Sequence, residues 1–269
     1  MKKLIKSAVA AVALLGASAS MNMATASESV LNDVLKRGEL QVCFDAGYIP
    51  FEMKSKKGDF IGFDVDLGKM MSKAMGVKFT PVNTAWDGII PALLTKKCDV
   101  IMGGMTITAQ RNLQVNFADP YVVIGQTILL RPGLEGKINS YKDLNNPQYK
   151  VATKLGTTGE QAVKRLIKKA EINLFETQSD AVLEVANGKA DAFVYDLPFN
   201  ALYEAQNKGQ VAHIEKPFTY EPLGWAVRKG DPDFLNFLNN YLRQIKGDGS
   251  YDRIYNKWFK SDAWLKQVQ

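Results

Sequence analysis

The sequence predicts an α/β protein built as two lobes of similar design. Three observations carry this expectation. Short apolar runs of strand length alternate with segments of helical periodicity. The alternation occurs twice, over residues 40–104 and again over 126–196, with no low-complexity linker between the two. Polar residues of the kind that hold ligands gather just beyond the ends of the strands.

In the first half, LQVCF (40–44) reads as a strand. Phe63, Leu67, Met70 and Ala74 share one face of a helix that Gly76 closes. KFTPV (78–82) is a second strand. A helix over 86–95 buries Ile89, Ile90, Leu93 and Leu94, and tolerates Pro91 if that residue lies in the first turn. DVIMGG (99–104) is the third strand. Strand–helix–strand–helix–strand implies parallel strands joined by right-handed crossovers.

In the second half, QTILLR (126–131), KVATKLG (150–156), INLFE (172–176) and DAFVYD (191–196) read as strands. Helices are expected over 159–170 and 179–188, the latter with Ser179 as N-cap and Gly188 beyond its end. LGWAVRK (223–229) reads as one return strand. Two C-terminal helices follow. Asp231-Pro232 opens the first, with Phe234, Leu238, Tyr241 and Ile245 on its face; Ser250 caps the second, which presents Ile254 and Trp258.

The N-terminus carries a different message. MKKLIK is basic, SAVAAVALLGASA is small and apolar, and Ala24-Thr25-Ala26 suits a small-residue cleavage site. This predicts a secretory signal peptide over 1–26 and export to a periplasm. The formal net charge of +6 includes three lysines of that segment, so the mature chain is near +3. Its basic residues are interleaved with acids, which excludes the clustered stripe of a nucleic-acid binder. The one histidine, His213, offers no metal-ligand spacing and little room for a Ser-His-Asp site. No cofactor motif stands out. Cys43 and Cys98 are the two cysteines; an exported chain permits a bridge, and two buried free thiols are the alternative.

Two lobes without a flexible linker suggest a cleft, and open α/β sheets bind ligands beyond the carboxyl ends of their strands. Asp45 and Tyr48 follow the first strand. GGMTITAQR (103–111) follows the third. Thr157 and Thr158 follow KVATKLG, and Asp196 ends DAFVYD. Each has a plain structural alternative. Arg111 suits a solvated helix residue, Asp196 a helix cap, Gly103 and Gly104 tight packing, and Tyr48 and Trp86 core aromatics.

The ordered set GYIPFE (47–52), GFDVDL (62–67), WDGIIPAL (86–93), GGMTITAQR (103–111), FADPY (117–121), KLGTTGE (154–160), VYD (194–196) and SYDRIYNKWF (250–259) resembles the periplasmic polar amino-acid-binding proteins of ABC importers. The resemblance spans nearly all of the mature chain. It implies the type II periplasmic-binding fold, a Venus flytrap with two hinge strands. Lobe 1 is expected at 27–121 and 227–269, lobe 2 at 126–222, and the hinges near 121–125 and 223–227. The implied partners are a polar amino acid and an importer permease with its ATPase; the chain is expected to act as a monomer.

The same resemblance implies a site. Arg111 grips the ligand carboxylate through a bidentate, charge-assisted pair, aided by the backbone N–H groups of Thr106 and Thr158. The start of a helix at Thr157–Thr158 favours an anion. Asp196 receives the ammonium with the Gly104 carbonyl and the Thr106 hydroxyl. Tyr48 and Trp86 stack on the ligand side chain, and Asp45, Lys154 and Tyr195 face it. An acid and a base together suit glutamine first, then other polar side chains, unless Asp45 and Lys154 neutralise one another. Two rivals remain. One is an enzyme like the cyclohexadienyl dehydratases, which share the fold. The other is a sensing module that serves a separate membrane receptor.

Overall fold

A computed structural model describes residues 29–268; the expected signal peptide lies outside them. The first elements are α1 (Val30–Arg37), β1 (Glu39–Phe44), β2 (Met53–Lys54), β3 (Phe60–Ile61), α2 (Phe63–Ala74), β4 (Lys78–Asn83), α3 (Ile89–Leu94), β5 (Val100–Ile101), α4 (Ala109–Asn112), β6 (Val115–Phe117) and β7 (Val122–Ile124). Next come β8 (Gln126–Leu130), β9 (Lys150–Lys154), α5 (Thr158–Leu166), β10 (Glu171–Phe175), α6 (Gln178–Ala186), β11 (Ala192–Asp196), α7 (Leu197–Gln206) and β12 (Ala212–Ile214). The chain finishes with β13 (Glu221–Leu223), β14 (Ala226–Arg228), α8 (Pro232–Gly247) and α9 (Ser250–Phe259).

Two five-stranded sheets form, in the orders β4-β1-β5-β14-β6 and β10-β9-β11-β8-β12. The βα alternation read from the sequence produces the parallel half of each: β4-β1-β5 in one, β10-β9-β11 in the other. The remaining strands run antiparallel. In the first sheet β14 pairs antiparallel with β5 and β6; in the second β8 pairs antiparallel with β11 and β12. A two-stranded antiparallel ribbon, β7 with β13, carries the chain between the sheets in both directions.

Three local expectations are corrected. LGWAVRK is not one strand: β13 belongs to the ribbon and β14 to the first sheet. The break falls at Gly224, where a Cβ would lie 2.8 Å from Ile107 Cδ1 and 3.0 Å from the Ala118 carbonyl oxygen. The chain therefore passes too close to its neighbours for a side chain. Helix α6 is capped by Thr177, not Ser179; the Thr177 hydroxyl accepts the Asp180 N–H at 3.1 Å. Ser250 is the first helical residue of α9, and Gly249, in the left-handed region, takes the cap position.

Other elements form as their residues dictate. Pro91 sits in the first turn of α3. Asp231 caps α8 by accepting the Phe234 N–H at 3.0 Å, and also accepts the Ser29 hydroxyl and Val30 N–H at 2.7 Å each. That single carboxylate ties α1 to α8. Helices α2, α8 and α9 cover the first sheet, where Phe63 packs edge-on against Phe259 at 5.1 Å. Fully buried side chains such as Phe44, Phe51 and Phe63 each stabilise the fold by about 1.5–3 kcal/mol. In the second sheet Ile128, Leu130, Val151 and Val194 pack with Val163 and Ile167.

Cys43 and Cys98 are joined in a disulfide, with their Cα atoms 5.7 Å apart. Cys43 lies on β1 and Cys98 just ahead of its neighbour β5. No helix among the described residues is long and apolar enough to cross a membrane.

Candidate functional site

The carboxyl ends of the parallel strands of both sheets face one cleft. From the first sheet, the chain leaves β5 through Gly103 and Gly104. Gly104 has φ +62, and a Cβ there would lie 2.3 Å from Tyr48 Cε1. Only glycine allows the Tyr48 ring to lie against this turn. The Gly104 N–H donates to Asp64 Oδ2 at 2.9 Å, and the Tyr121 hydroxyl donates to the same oxygen at 2.8 Å. The first acid of GFDVDL thus anchors the glycine turn. Burial raises its carboxyl to about 7.

Arg111 lies in α4, a single turn opened by Thr108, whose hydroxyl accepts the Arg111 N–H at 3.1 Å. Its side chain turns inward and the residue is 5% exposed. Nη1 donates to the Thr106 carbonyl at 2.9 Å and Nη2 to the Gly156 carbonyl at 3.3 Å. The guanidinium lies over the Trp86 ring, 5.4 Å from its centre. Among the described residues no carboxylate forms an ion pair with it. Burial lowers its pKa to about 10, so it keeps its charge at neutral pH.

From the second sheet, β9 ends at Lys154 and α5 begins at Thr158. Thr157 caps α5 through the Glu160 N–H, and its own hydroxyl donates to the Lys154 carbonyl at 2.7 Å. The helix start therefore points into the cleft. Asp196 occupies the N-cap position of α7, yet its side chain makes no capping bond. Its carboxylate instead accepts from the Tyr48 hydroxyl and from Gln126 Nε2. Burial is the main cause that raises this carboxyl to about 6.

Further contacts cross the cleft. Lys154 Nζ donates to Asp45 Oδ2 at 2.5 Å and to Gln178 Oε1 at 2.9 Å. Trp86 Nε1 donates to the Gly156 carbonyl at 3.0 Å, and the Thr106 and Thr158 hydroxyls lie 3.4 Å apart. Tyr195 meets Tyr48 edge-on at 5.7 Å. These side chains enclose a cavity of about 10 Å³, room for a single water. Anything larger than water enters only if the two sheets move apart and some of these contacts are exchanged.

All eleven residues expected from the sequence line this cavity: Asp45, Tyr48, Trp86, Gly104, Thr106, Arg111, Lys154, Thr157, Thr158, Tyr195 and Asp196. A twelfth, Glu52, was not assigned a role in the sequence, although GYIPFE ends with it. Glu52 is fully buried and neither carboxyl oxygen has a hydrogen-bond partner among the described residues. Burial first, then the neighbouring Asp64 and Asp45 charges, push its pKa well above the usual carboxylate range. Gln126 and Gln178 were also missed. Both are buried amides that hold a charged group of the cleft.

Comparison with known proteins identifies the family. Residues 40–261 match the family described as bacterial extracellular solute-binding proteins, family 3. The "Probable histidine-binding protein" of Neisseria gonorrhoeae is 36% identical over 227 residues, covering 83% of this chain and 84% of that one. A solved structure described as a binding component of an ABC transporter from Wolinella succinogenes DSM 1740, complexed with lysine, is 56% identical. It superposes with a TM-score of 0.82 over 86% of this chain and 99% of the other. Cyclohexadienyl dehydratase of Pseudomonas aeruginosa is also similar, at 26% identity over 94% of this chain and 93% of the enzyme.

Proposed function

Because this chain belongs to the bacterial extracellular solute-binding proteins, family 3, we propose that it captures a polar L-amino acid between its two lobes and delivers it to an ABC importer. One observation carries the reading. A buried guanidinium from one lobe, with no carboxylate partner among the described residues, and a buried carboxylate from the other face the same small cavity. A zwitterion satisfies both. Its carboxylate replaces the carbonyls on Arg111 in a charge-assisted pair, assisted by the α5 N-terminus. Its ammonium replaces the Tyr48 hydroxyl on Asp196. Since both lobes donate contacts, the ligand favours closure by its differential interactions. Periplasmic binding proteins are themselves a well-known example of hinge closure around a ligand.

The side-chain end is read from charge. Asp45 and Lys154 pair at 2.5 Å, so they form a neutral polar wall rather than a selective couple. Glu52 is then the uncompensated group of that wall. An arriving ammonium or guanidinium would draw off its proton and pair with it. This ranks lysine or arginine above glutamine, which the sequence alone placed first. Calorimetric titration of the purified protein against all twenty amino acids tests both levels. Tight binding of leucine alone would overturn the reading, and a preference for glutamine over lysine would overturn the role given to Glu52. Mass spectrometry of the amino acid retained through native purification is an independent check.

We take the protein to be a monomeric binder rather than an enzyme. The dehydratase relative supplies the control: incubation with prephenate or arogenate should release no aromatic product. Association with an importer permease, and not with a chemoreceptor, in a pulldown would separate delivery from sensing.

A further inference from the structure

His213, the one histidine of the sequence, lies on β12 at the edge of the second sheet, paired with Leu129 of β8. Its side chain is 1% exposed. Nε2 lies 2.9 Å from the Thr127 hydroxyl, which also accepts Asn200 Nδ2 at 3.0 Å. This fixes the ring. Nδ1 has no hydrogen-bond partner among the described residues. It points toward two carboxylates. Glu204 of α7 has Oε2 3.8 Å away. Glu215 is two residues along the chain, on the same face of the strand as His213. One ligand atom from each of the three residues lies within 4.8 Å of the other two.

In the tautomer that donates Nε2–H to Thr127, Nδ1 presents a bare lone pair toward the Glu204 carboxylate. In that tautomer three acceptors converge, one buried nitrogen without a hydrogen-bond partner and two carboxylates, with no donor among them. A cation resolves the conflict. We propose that His213 Nδ1, Glu204 and Glu215 form a divalent-metal site of the Zn²⁺ class, remote from the amino-acid cleft. One imidazole and two carboxylates are the mixed N and O donors that this ion accepts, leaving a fourth position to water. Tetrahedral bonds of about 2.1 Å bring ligand atoms to about 3.4 Å from one another, so the carboxylates close in slightly. Glu215 is exposed and the Glu204 side chain is 38% exposed, which gives the ion a path and the two acids room to move. Thr127 serves as the partner that orients the metal-bound ring. The ion would clasp the edge strand β12 to α7.

Tag-free protein, dialysed against chelator, is titrated with ZnCl₂ by calorimetry while NMR follows the imidazole resonances, which have one source in this sequence. The expected result is one ion per chain, with those resonances moving in step with the heat. Glu215→Gln, an exposed change that spares the fold, should weaken binding by about tenfold or more, and His213→Gln should abolish it. Absence of binding, binding that leaves the imidazole signals in place, or equal affinity in Glu215→Gln would each overturn the assignment.

Discussion

Replacing Asp196 by Asn should move stability and binding in opposite directions. The residue is 7% exposed, and burial raises its carboxyl from 3.8 to about 6. A carboxyl with a raised folded-state pKa binds protons more readily in the folded chain than in the unfolded one. Its ionisation therefore costs stability above pH 6, and that cost disappears as pH falls through 6 toward 3.8. A shift of that size corresponds to about 3 kcal/mol. Asn is neutral throughout and loses no capping bond, because Asp196 makes none. Weaker bonds from Tyr48 and Gln126 offset part of the gain, which leaves about 1–2 kcal/mol, or a few degrees in Tm for a chain of this size. Amino-acid affinity should fall by about 3–5 kcal/mol, since the ligand ammonium loses its charged partner. Thermal melts without amino acid at pH 7.5 and pH 4, together with calorimetric titration at pH 7.5, give both quantities. Asp196→Asn should melt higher than the parent at pH 7.5 and level with it at pH 4. A variant that melts lower at pH 7.5, or binds as the parent does, would refute the assignment of this carboxylate to the ligand.

Other outcomes follow from the same geometry. Arg111→Ala should lose about 3–5 kcal/mol of amino-acid affinity by calorimetry, on the order of a broken buried charge pair, while still folding by circular dichroism. Glu52→Gln should weaken lysine at least about tenfold, the worth of 1.4 kcal/mol, yet leave glutamine nearly unchanged; equal losses for both would argue that Glu52 is structural. Gly104→Ala places a Cβ 2.3 Å from the Tyr48 ring at a positive φ, and should cost about 1–3 kcal/mol in stability by denaturant melts. The Cys43→Ala/Cys98→Ala pair should lose about 4 kcal/mol for a closed span of 55 residues in the chain-entropy account.

Much of the site was legible because it is built from strand ends. A βα unit places the residue after a strand at a fixed rim, so Asp45, Gly104, Thr157 and Asp196 could be placed from spacing alone. Glu52 could not. It follows two apolar residues in a tight turn, and nothing in its neighbours marks a buried acid without a partner. Gln126 and Gln178 open a strand and a helix, positions where an amide usually meets water. The edge strands β6 and β12 are three residues each, too short for a period of two to register, so they stayed hidden, while β8 and β14 were legible as strands but not as antiparallel ones. At α6 two hydroxyls, Thr177 and Ser179, compete for one cap. Which one wins depends on where the chain enters the helix.

The bridge between Cys43 and Cys98 joins the root of the loop that carries Asp45 and Tyr48 to the root of the loop that carries Gly104 and Arg111. Besides this covalent tie, β1 and β5 share a register of only two residue pairs, Val42 with Val100 and Cys43 with Ile101. Cytosolic thiol pools keep such sulfurs reduced. A newly made chain would therefore lack the bridge, and the stability it adds, until it met an oxidising environment.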